Sequence, residues 1–323
     1  MPFPTPAVTT TTAATFIPEI WSDEIVAAYK KNLVAANLVK RMNFKGKKGD
    51  TVHVPAPTRG SASVKAASTA VTLIAATETE VQVLINKHYE YSRFIEDIVE
   101  VQALSSLRSF YTEDAGYALA RQVDTDLIQL GRAFNGATVG TDDYATSNTA
   151  TKAYIGSDGT TAYNSTTSNA AALTDAAIRR TIQRLDDNDT PMDGRFFIIP
   201  PSSRNTLMGL ARYTEQAFTG EAGSANAIRN GEIGNLYGIP VFVTSNADIG
   251  AGNTNTDRIC LMGHRDSMVL VEQLGIRSQT QYKQEYLATL YTADTLYGVK
   301  AMRTAATVGA ALSSSAFALA VPA

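Results

Sequence analysis

The feature that most constrains this chain is a stretch without punctuation. From Glu96 to Phe134 there is no proline, and Gly116 is the only glycine before Gly131. Val101, Leu104, Leu107, Tyr111, Ala115, Ala118, Leu127 and Leu130 fall mostly three or four residues apart, the spacing that gathers side chains on one helical face. Around 35 residues of helix span roughly 50 Å, about three times a typical globular helix. No strict heptad is sustained, so a coiled coil is excluded. The spacing predicts one lightly amphipathic helix that crosses the whole subunit, with Gly131 and Gly136 bracketing its end.

The N-terminal side of this helix reaches outwards. Residues 1–18 hold four prolines and six threonines, a composition for an extended arm. Pro18-Glu19-Ile20-Trp21-Ser22 then opens a helix with Ser22 as N-cap, and Ile25, Tyr29 and Leu33 form its apolar stripe. Residues 38–48 end it in a basic knot of Lys40, Arg41, Lys45, Lys47 and Lys48, read as a solvated face. Gly49-Asp50 turns into the strand Thr51–Val54, which Pro55 and Pro57 stop. His53 alternates with two valines and points off the strand. Thr58–Ala76 is small and polar and includes Arg59 and Lys65. Val71–Ile74 and Thr79–Ile85 are further strand candidates. Residues 49–90 together predict a two-stranded excursion, and an isolated hairpin is marginal in water, so it must lie against something else.

The C-terminal side is more compact. Residues 135–170 turn to Gly, Ser, Thr, Asn and Ala, the composition of an exposed insertion that carries no core. Leu173–Asp187 is a helix capped by Thr174 or Asp175, with Ile178, Ile182 and Leu185 on one face. Arg195–Ile199 has the continuous apolar pattern of a buried strand. Ser202–Leu210 is a short helix. Gly238-Ile239-Pro240 leads into the strand Val241–Val243, and Ile259–Met262 is another buried strand, with Cys260 a small core residue. Met268–Val271, Tyr286–Tyr291 and Tyr297–Ala305 alternate as strands. Ala310–Ala323 reads as a weakly structured tail.

Composition closes off several functions. Only 18% of the 323 residues are charged, against about 25% in an average domain. Lys+Arg 28 against Asp+Glu 31 gives −3, which excludes a general polyanion binder. One cysteine and three histidines leave no material for a disulfide or a Cys/His metal centre. No nucleophile elbow, phosphate-binding loop or H-E-x-x-H motif occurs. Asp186-Asp187-Asn188-Asp189 lacks the spacing of a calcium loop and reads as a helix-ending turn. His264, beside Arg265 and Asp266, has no nucleophile near it in sequence. No enzyme, no cofactor and no metal are expected. No apolar run is long enough to cross a bilayer, and the N-terminus lacks the basic start and apolar core of a signal peptide, so no membrane partner is expected.

Taken in order, the segments resemble the major capsid proteins of tailed bacteriophages. Pro18–Ser22, Lys47–Val54 (KKGDTVHV), Ala118–Gly131 (ALARQVDTDLIQLG), Gly231–Thr244 (GEIGNLYGIPVFVT) and Tyr297–Val308 (YGVKAMRTAATV) carry the likeness. Gly231–Thr244 carries most of it, with its Gly-rich turn, Gly-hydrophobic-Pro and buried strand. The resemblance implies an α+β chain of the Hong Kong 97 fold. Residues 1–45 would be an N-terminal arm and helix, 46–92 an extended β-hairpin loop, and 93–134 the spine helix of a peripheral domain. Residues 135–170 would be an inserted surface loop, 171–267 an axial α/β domain, 268–309 the closing strands of the peripheral domain, and 310–323 a tail.

The resemblance implies self-assembly, as hexamers and pentamers, into the icosahedral head of a tailed phage. The virion shell, built in the host cytoplasm, would hold double-stranded DNA without reading its sequence. Trp21, Arg59, Lys65, Tyr237, Gly238 and Pro240 become the subunit-contact candidates. A portal protein is an implied partner, and the 135–170 loop is a candidate site for a decoration protein. Only 17 residues precede Pro18, so a separate scaffolding protein is expected. Some relatives crosslink a loop lysine to a late asparagine. Lys65 could supply the lysine, but no Asn follows Asn255, so no covalent crosslinking is expected. An encapsulin-like nanocompartment shell is the nearest alternative, and a secreted surface or adhesin protein is an alternative of another class.

Overall fold

A computed structural model describes residues 33–57, 62–71, 73, 78–96, 106–132, 154–156, 158–159, 163, 170–210, 234–247, 257–302 and 315–322. The expected arm with its Trp21 stripe, Arg59, the start of the long helix and the 211–233 loop lie outside these residues.

The long helix, α2, spans Ser106–Arg132, about 40 Å. Glu96, where its Pro-free stretch opens, belongs to a strand instead. Ala115, Leu119, Leu127 and Ile128 are buried. Gly131 lies in the last described turn of the helix. A Cβ there would lie 2.6 Å from Leu261 Cδ1, so the glycine lets the helix lie directly on a strand.

Two sheets share this helix. The first has the order β1-β10-β11-β4: β1 is Lys40–Asn43, β4 Lys87–Glu96, β10 Met268–Lys283 and β11 Ala288–Ala301. Lys40 and Arg41 therefore extend a sheet, parallel to Val269 and Leu270, where sequence pattern assigns them only a solvated helix end. β11 runs without a break from Ala288 to Ala301 and joins the strands expected at Tyr286–Tyr291 and Tyr297–Ala305, because the polar residues between them still satisfy the ladder to β10; residues 303–305 lie outside the described residues. The register of β10 shifts between Glu272 and Arg277. There the carbonyl of Leu274 accepts from the Thr295 hydroxyl at 3.0 Å.

The second sheet has the order β5-β12-β9-β6-β8-β7, with β5 at Tyr154–Ile155, β6 at Arg195–Ile199, β7 at Asn235–Leu236, β8 at Ile239–Val243, β9 at Asp257–His264 and β12 at Ala316–Pro322. Two expectations fail here. The tail is not weakly structured: β12 pairs antiparallel along the whole of β9, and Phe317, Leu319 and Val321 are all buried. Each such side chain is worth about 1.5–3 kcal/mol of burial. The 135–170 insertion does carry core: Ile155 and Tyr163 are buried, and the Tyr163 hydroxyl donates to Asp257 at 2.5 Å. The helices α3 (Asp175–Asp187) and α4 (Pro201–Met208) lie between these strands in sequence. Thr174 caps α3 by accepting from the Ala177 N–H at 3.2 Å, as the sequence pattern predicts. A short four-residue helix, α1 (Ala35–Leu38), precedes β1.

One apolar core runs through all of this. Phe197, Ile198, Leu261 and Leu319 of the six-stranded sheet, Leu127 and Ile128 of α2, and Leu270 and Tyr297 of the four-stranded sheet belong to it.

A separate two-stranded hairpin, β2 (Thr51–Pro57) and β3 (Glu78–Leu84), stands on the other face of the four-stranded sheet. Val52, Val83 and Ile85 pack against Val269 and Val271. Pro55 does not stop β2, which is described as far as Pro57. The Ile85 N–H donates to the Asp50 carbonyl at 2.8 Å, so in this register Val52, Val54 and Ala56 take the ladder bonds. The two prolines fall at places whose backbone nitrogen faces away from β3. Val71 and Leu73, expected in a strand, lie in none and are exposed.

The hairpin sits close to the sheet because residue 298 is glycine. A Cβ there would be 2.3 Å from the Leu84 carbonyl oxygen, a backbone atom that cannot swing aside. Gly298→Ala is expected to lose about 1–3 kcal/mol, the usual range for overpacking, in denaturant unfolding of the soluble subunit. Unchanged stability would contradict this docking.

Candidate assembly surfaces

The base of the hairpin is buried and its far end is not. Residues 62–71, including Lys65, are exposed throughout. Val64, Val71 and Leu73 are 101%, 70% and 89% exposed. Three bare aliphatic side chains on one projecting loop is surface that a monomer has no reason to keep. Along β2, His53 lies on the outer face as its alternation predicts, with Nδ1 2.9 Å from Glu80 Oε2. Hydrogen bonds from Gln82 and then His53 hold the Glu80 carboxyl below its ordinary pKa.

The β7–β8 turn is a second projecting feature. Tyr237 and Gly238 have φ of +52° and +82°, which is the two-residue hairpin turn with both central residues left-handed. Glycine accepts this freely and tyrosine does not. Tyr237 is held there by its hydroxyl, which donates to Asp175 at the start of α3. Tyr237 and Pro240 are exposed while Ile239 between them is buried. The structure therefore places Tyr237, Gly238 and Pro240 together on one surface turn. Lys65 is on the separate loop, and Trp21 and Arg59 are outside the described residues.

A third feature escaped sequence reasoning. Asp124, in the middle of α2, is fully buried. Its Oδ1 accepts from the Ala35 N–H at 2.7 Å and the Ala36 N–H at 3.4 Å, and its Oδ2 accepts from Asn246 Nδ2 at 3.1 Å. The carboxylate caps α1, where the chain arrives from the N-terminal segment, and ties it to the spine helix and to the end of the strand β8. Burial raises its pKa, while Asn246 and the backbone N–H groups pull the other way. A lone Asp in an amphipathic helix gives no sequence signal for this task.

The open end of the four-stranded sheet is braced by charge. Arg277 Nε and Nη2 donate to the two oxygens of Asp294 at 2.7 and 3.0 Å, and His88 Nε2 lies 3.2 Å from Oδ2. Arg277 holds the Asp294 carboxyl below its usual range. Beyond this brace, Phe94, Tyr286 and Leu287 are exposed at the tip, with the Phe94 and Tyr286 rings 5.7 Å apart.

The groups that resemble catalytic residues in type have structural tasks. His264 faces the Asp193 carbonyl through Nε2 at 2.9 Å and accepts the Asp266 N–H through Nδ1 at 3.1 Å. Asp186 pairs with buried Arg195 at 2.6 Å. Asp126 takes a hydrogen bond from Tyr297 at 2.7 Å and pairs with Lys87 at 2.9 Å. Burial pushes the Cys260 thiol up to about 12, which keeps it protonated and inert. Among the described residues, no group of three or more His, Cys, Asp or Glu could hold a metal ion, and no helix is long and apolar enough to cross a membrane.

The same architecture is found in known shells. The chain belongs to the phage capsid protein family, whose model matches residues 35–310. Solved structures agree on the fold. A structure from Mycobacterium phage Che8 is 22% identical, covers 94% of this chain and 97% of its own, and has a TM-score of 0.69. The capsid of Cyanophage P-SCSP1u is 16% identical, with coverages of 96% and 94% and a TM-score of 0.67. The mature capsid of bacteriophage PhiM1 is 13% identical, with coverages of 94% and 92% and a TM-score of 0.67. No curated protein matches the chain. The fold is thus of the Hong Kong 97 type, and the chain is a major capsid protein of the virion shell.

Asp124→Ala is expected to cost about 2–3 kcal/mol, because it strands buried donors of Ala35, Ala36 and Asn246. Asp124→Asn keeps an acceptor and should recover part of the loss in the same denaturant titration. Equal loss in both variants would mean that charge, and not capping, is what matters.

Proposed function

We propose that this chain builds a closed icosahedral shell of hexamers and pentamers around double-stranded DNA, and that its projecting hairpin loop is the main grip on a neighbouring subunit. The observation that carries this reading is the loop 62–73, with Val64, Val71 and Leu73 uncovered beyond a rigidly seated hairpin base. Apolar surface held away from its own core is stabilised when a second copy covers it. On this reading the six-stranded sheet with α3 and α4 is the axial domain, and the Tyr237–Pro240 turn contacts a copy around the symmetry axis. The four-stranded sheet with α2 is the peripheral domain, and the residues before Ala35 are an arm that Asp124 anchors.

The shell coheres by repetition. Once neighbours are placed, each further contact is effectively intramolecular, so modest contacts sum to a stable particle. A net charge of −3 suits a container that must not hold its DNA tightly. A portal protein, a separate scaffolding protein and a decoration protein are the further partners this reading includes, on the strength of the family alone.

Val64→Asp and Leu73→Asp are expected to leave a soluble, folded subunit that no longer forms particles in sedimentation or electron microscopy. Particles formed as well as by the unaltered chain would remove the loop from the interface. The reading also predicts non-covalent cohesion, since no Asn after Asn255 can accept Lys65. Denatured particles should run as monomers in electrophoresis, and a ladder of multimers would overturn this.

A further inference from the structure

The four-stranded sheet has an open corner. β4 begins at Lys87, which pairs with Tyr297, so among the described residues β11 has no strand on that side from Gly298 onwards. The chain climbs from Lys87 through Asn86 to the hairpin, whose Leu84 carbonyl overlies Gly298. These segments and the last turns of α2 enclose a cleft of about 290 Å³, near the lower end of the range for ligand pockets. Leu84, Leu130 and Val299 give it apolar walls, and Asn86, Gln129 and Lys300 bring polar head groups to it. Among the described residues none of these three head groups has a hydrogen-bond or ion-pair partner. Gln129 is half-buried, and polar groups withdrawn from water are as a rule paired. One carboxylate reaches the cleft, that of Asp126, and it is already satisfied. It accepts from Gln122 at 3.1 Å and from Tyr297 at 2.7 Å, and it pairs with Lys87 at 2.9 Å. The charge of Lys300 is left uncompensated.

We propose that this cleft binds the carboxylate of an acidic side chain carried on a linear segment of a different protein. The apolar walls take the methylenes of such a side chain. Lys300 supplies the opposite charge, and the amides of Gln129 and Asn86 donate to the carboxylate oxygens. An ionised carboxylate leaves water only where it is paired and hydrogen-bonded in this way. Duplex DNA also offers oxyanions, but on a broad convex backbone with one charge per roughly 1.7 Å of axis. A narrow cleft with one spare cation neither admits nor matches it. A second copy of this chain is poorly equipped for the role. Its 62–71 loop and its Tyr237–Pro240 turn carry no carboxylate. Glu285, exposed at the β10–β11 tip, stands two residues from Lys283, whose like charge opposes Lys300. The inference stands apart from the shell-forming function, because binding is read on the soluble subunit.

Fluorescence anisotropy of a labelled Gly-Glu-Gly-Glu-Gly peptide on the soluble full chain tests this. The peptide should bind saturably, and its glutamine counterpart should bind about tenfold or more weaker, the worth of a hydrogen bond to a charged group. Lys300→Gln and Gln129→Ala should each weaken binding by about the same factor. Lys48→Gln, which removes an exposed cation from the separate turn between β1 and β2, should leave it unchanged. Absence of saturable binding overturns the proposal, as does an equal loss in Lys48→Gln. Circular dichroism and a cooperative melt show whether each variant folds. Should Lys300→Gln fail to fold, Gln129→Ala and the pair of peptides decide. Displacement of the peptide by sodium acetate at equal concentration would make a free carboxylate the ligand and overturn the protein occupant. A loss of particles in Glu285→Gln that matches the loss in Lys300→Gln would make another copy the occupant, and overturns the choice in the same way. If the unaltered chain binds the peptide and forms no particles, the proposed function falls and this inference stands.

Discussion

The sheet formed by β10 and β11 is packed on both faces, and the reach of the subunit depends on how tightly. On one face α2 lies against Tyr291, Ala293 and Tyr297. On the other the hairpin base seats Val52, Val83 and Ile85 against Val269 and Val271. The approach is closest at Gly298, directly under the Leu84 carbonyl. That contact converts a weak two-stranded hairpin into a rigid bracket. Protein interiors resist small changes in volume, so the position of the exposed loop is fixed from its root. A shell subunit needs this property, because contacts that repeat by symmetry tolerate little variation in angle.

Interface cores are depleted in charge, and here the charged groups that are buried are committed to holding segments of the chain together. Asp124 caps the entry of the N-terminal segment, Asp126 joins Lys87 to Tyr297, and Asp294 joins Arg277 to His88. Each links residues far apart in sequence. None is arranged as a reacting group, and the one thiol is kept protonated by burial.

Much of this was legible from local pattern. The period of α2, the cap of α3, the continuous apolar strand β6 and the alternation of Val81, Val83 and Ile85 are all local signals, and each element formed. What failed was long-range. β12 is rich in alanine and comes after a small polar run, so nothing local marks it as a strand; only the apolar surface of β9 makes it one. β4, with its alternation of His88, Tyr89, Glu90 and Tyr91, carries a period of two that reads as part of the hairpin, because its partner β11 lies some 200 residues later. Pro55 and Pro57 read as strand breakers until the ladder register shows which way each nitrogen faces. Of the expected contact residues, Tyr237, Gly238 and Pro240 form one turn because the Gly-hydrophobic-Pro pattern is itself a turn signal. The task of Asp124 depends on a backbone 89 residues away, and no spacing encodes it.

The central claim is that a rigid subunit grips its neighbours through the uncovered loop of a hairpin whose base is seated on its own sheet. Electron cryomicroscopy of the particles formed by the full chain tests this most directly. The account predicts closed shells in which the base of the hairpin stays on its own sheet while the 62–73 loop crosses onto an adjacent subunit and is buried there. Shells in which the 62–73 loop folds back over its own subunit, or a monodisperse monomer at high concentration, would contradict it.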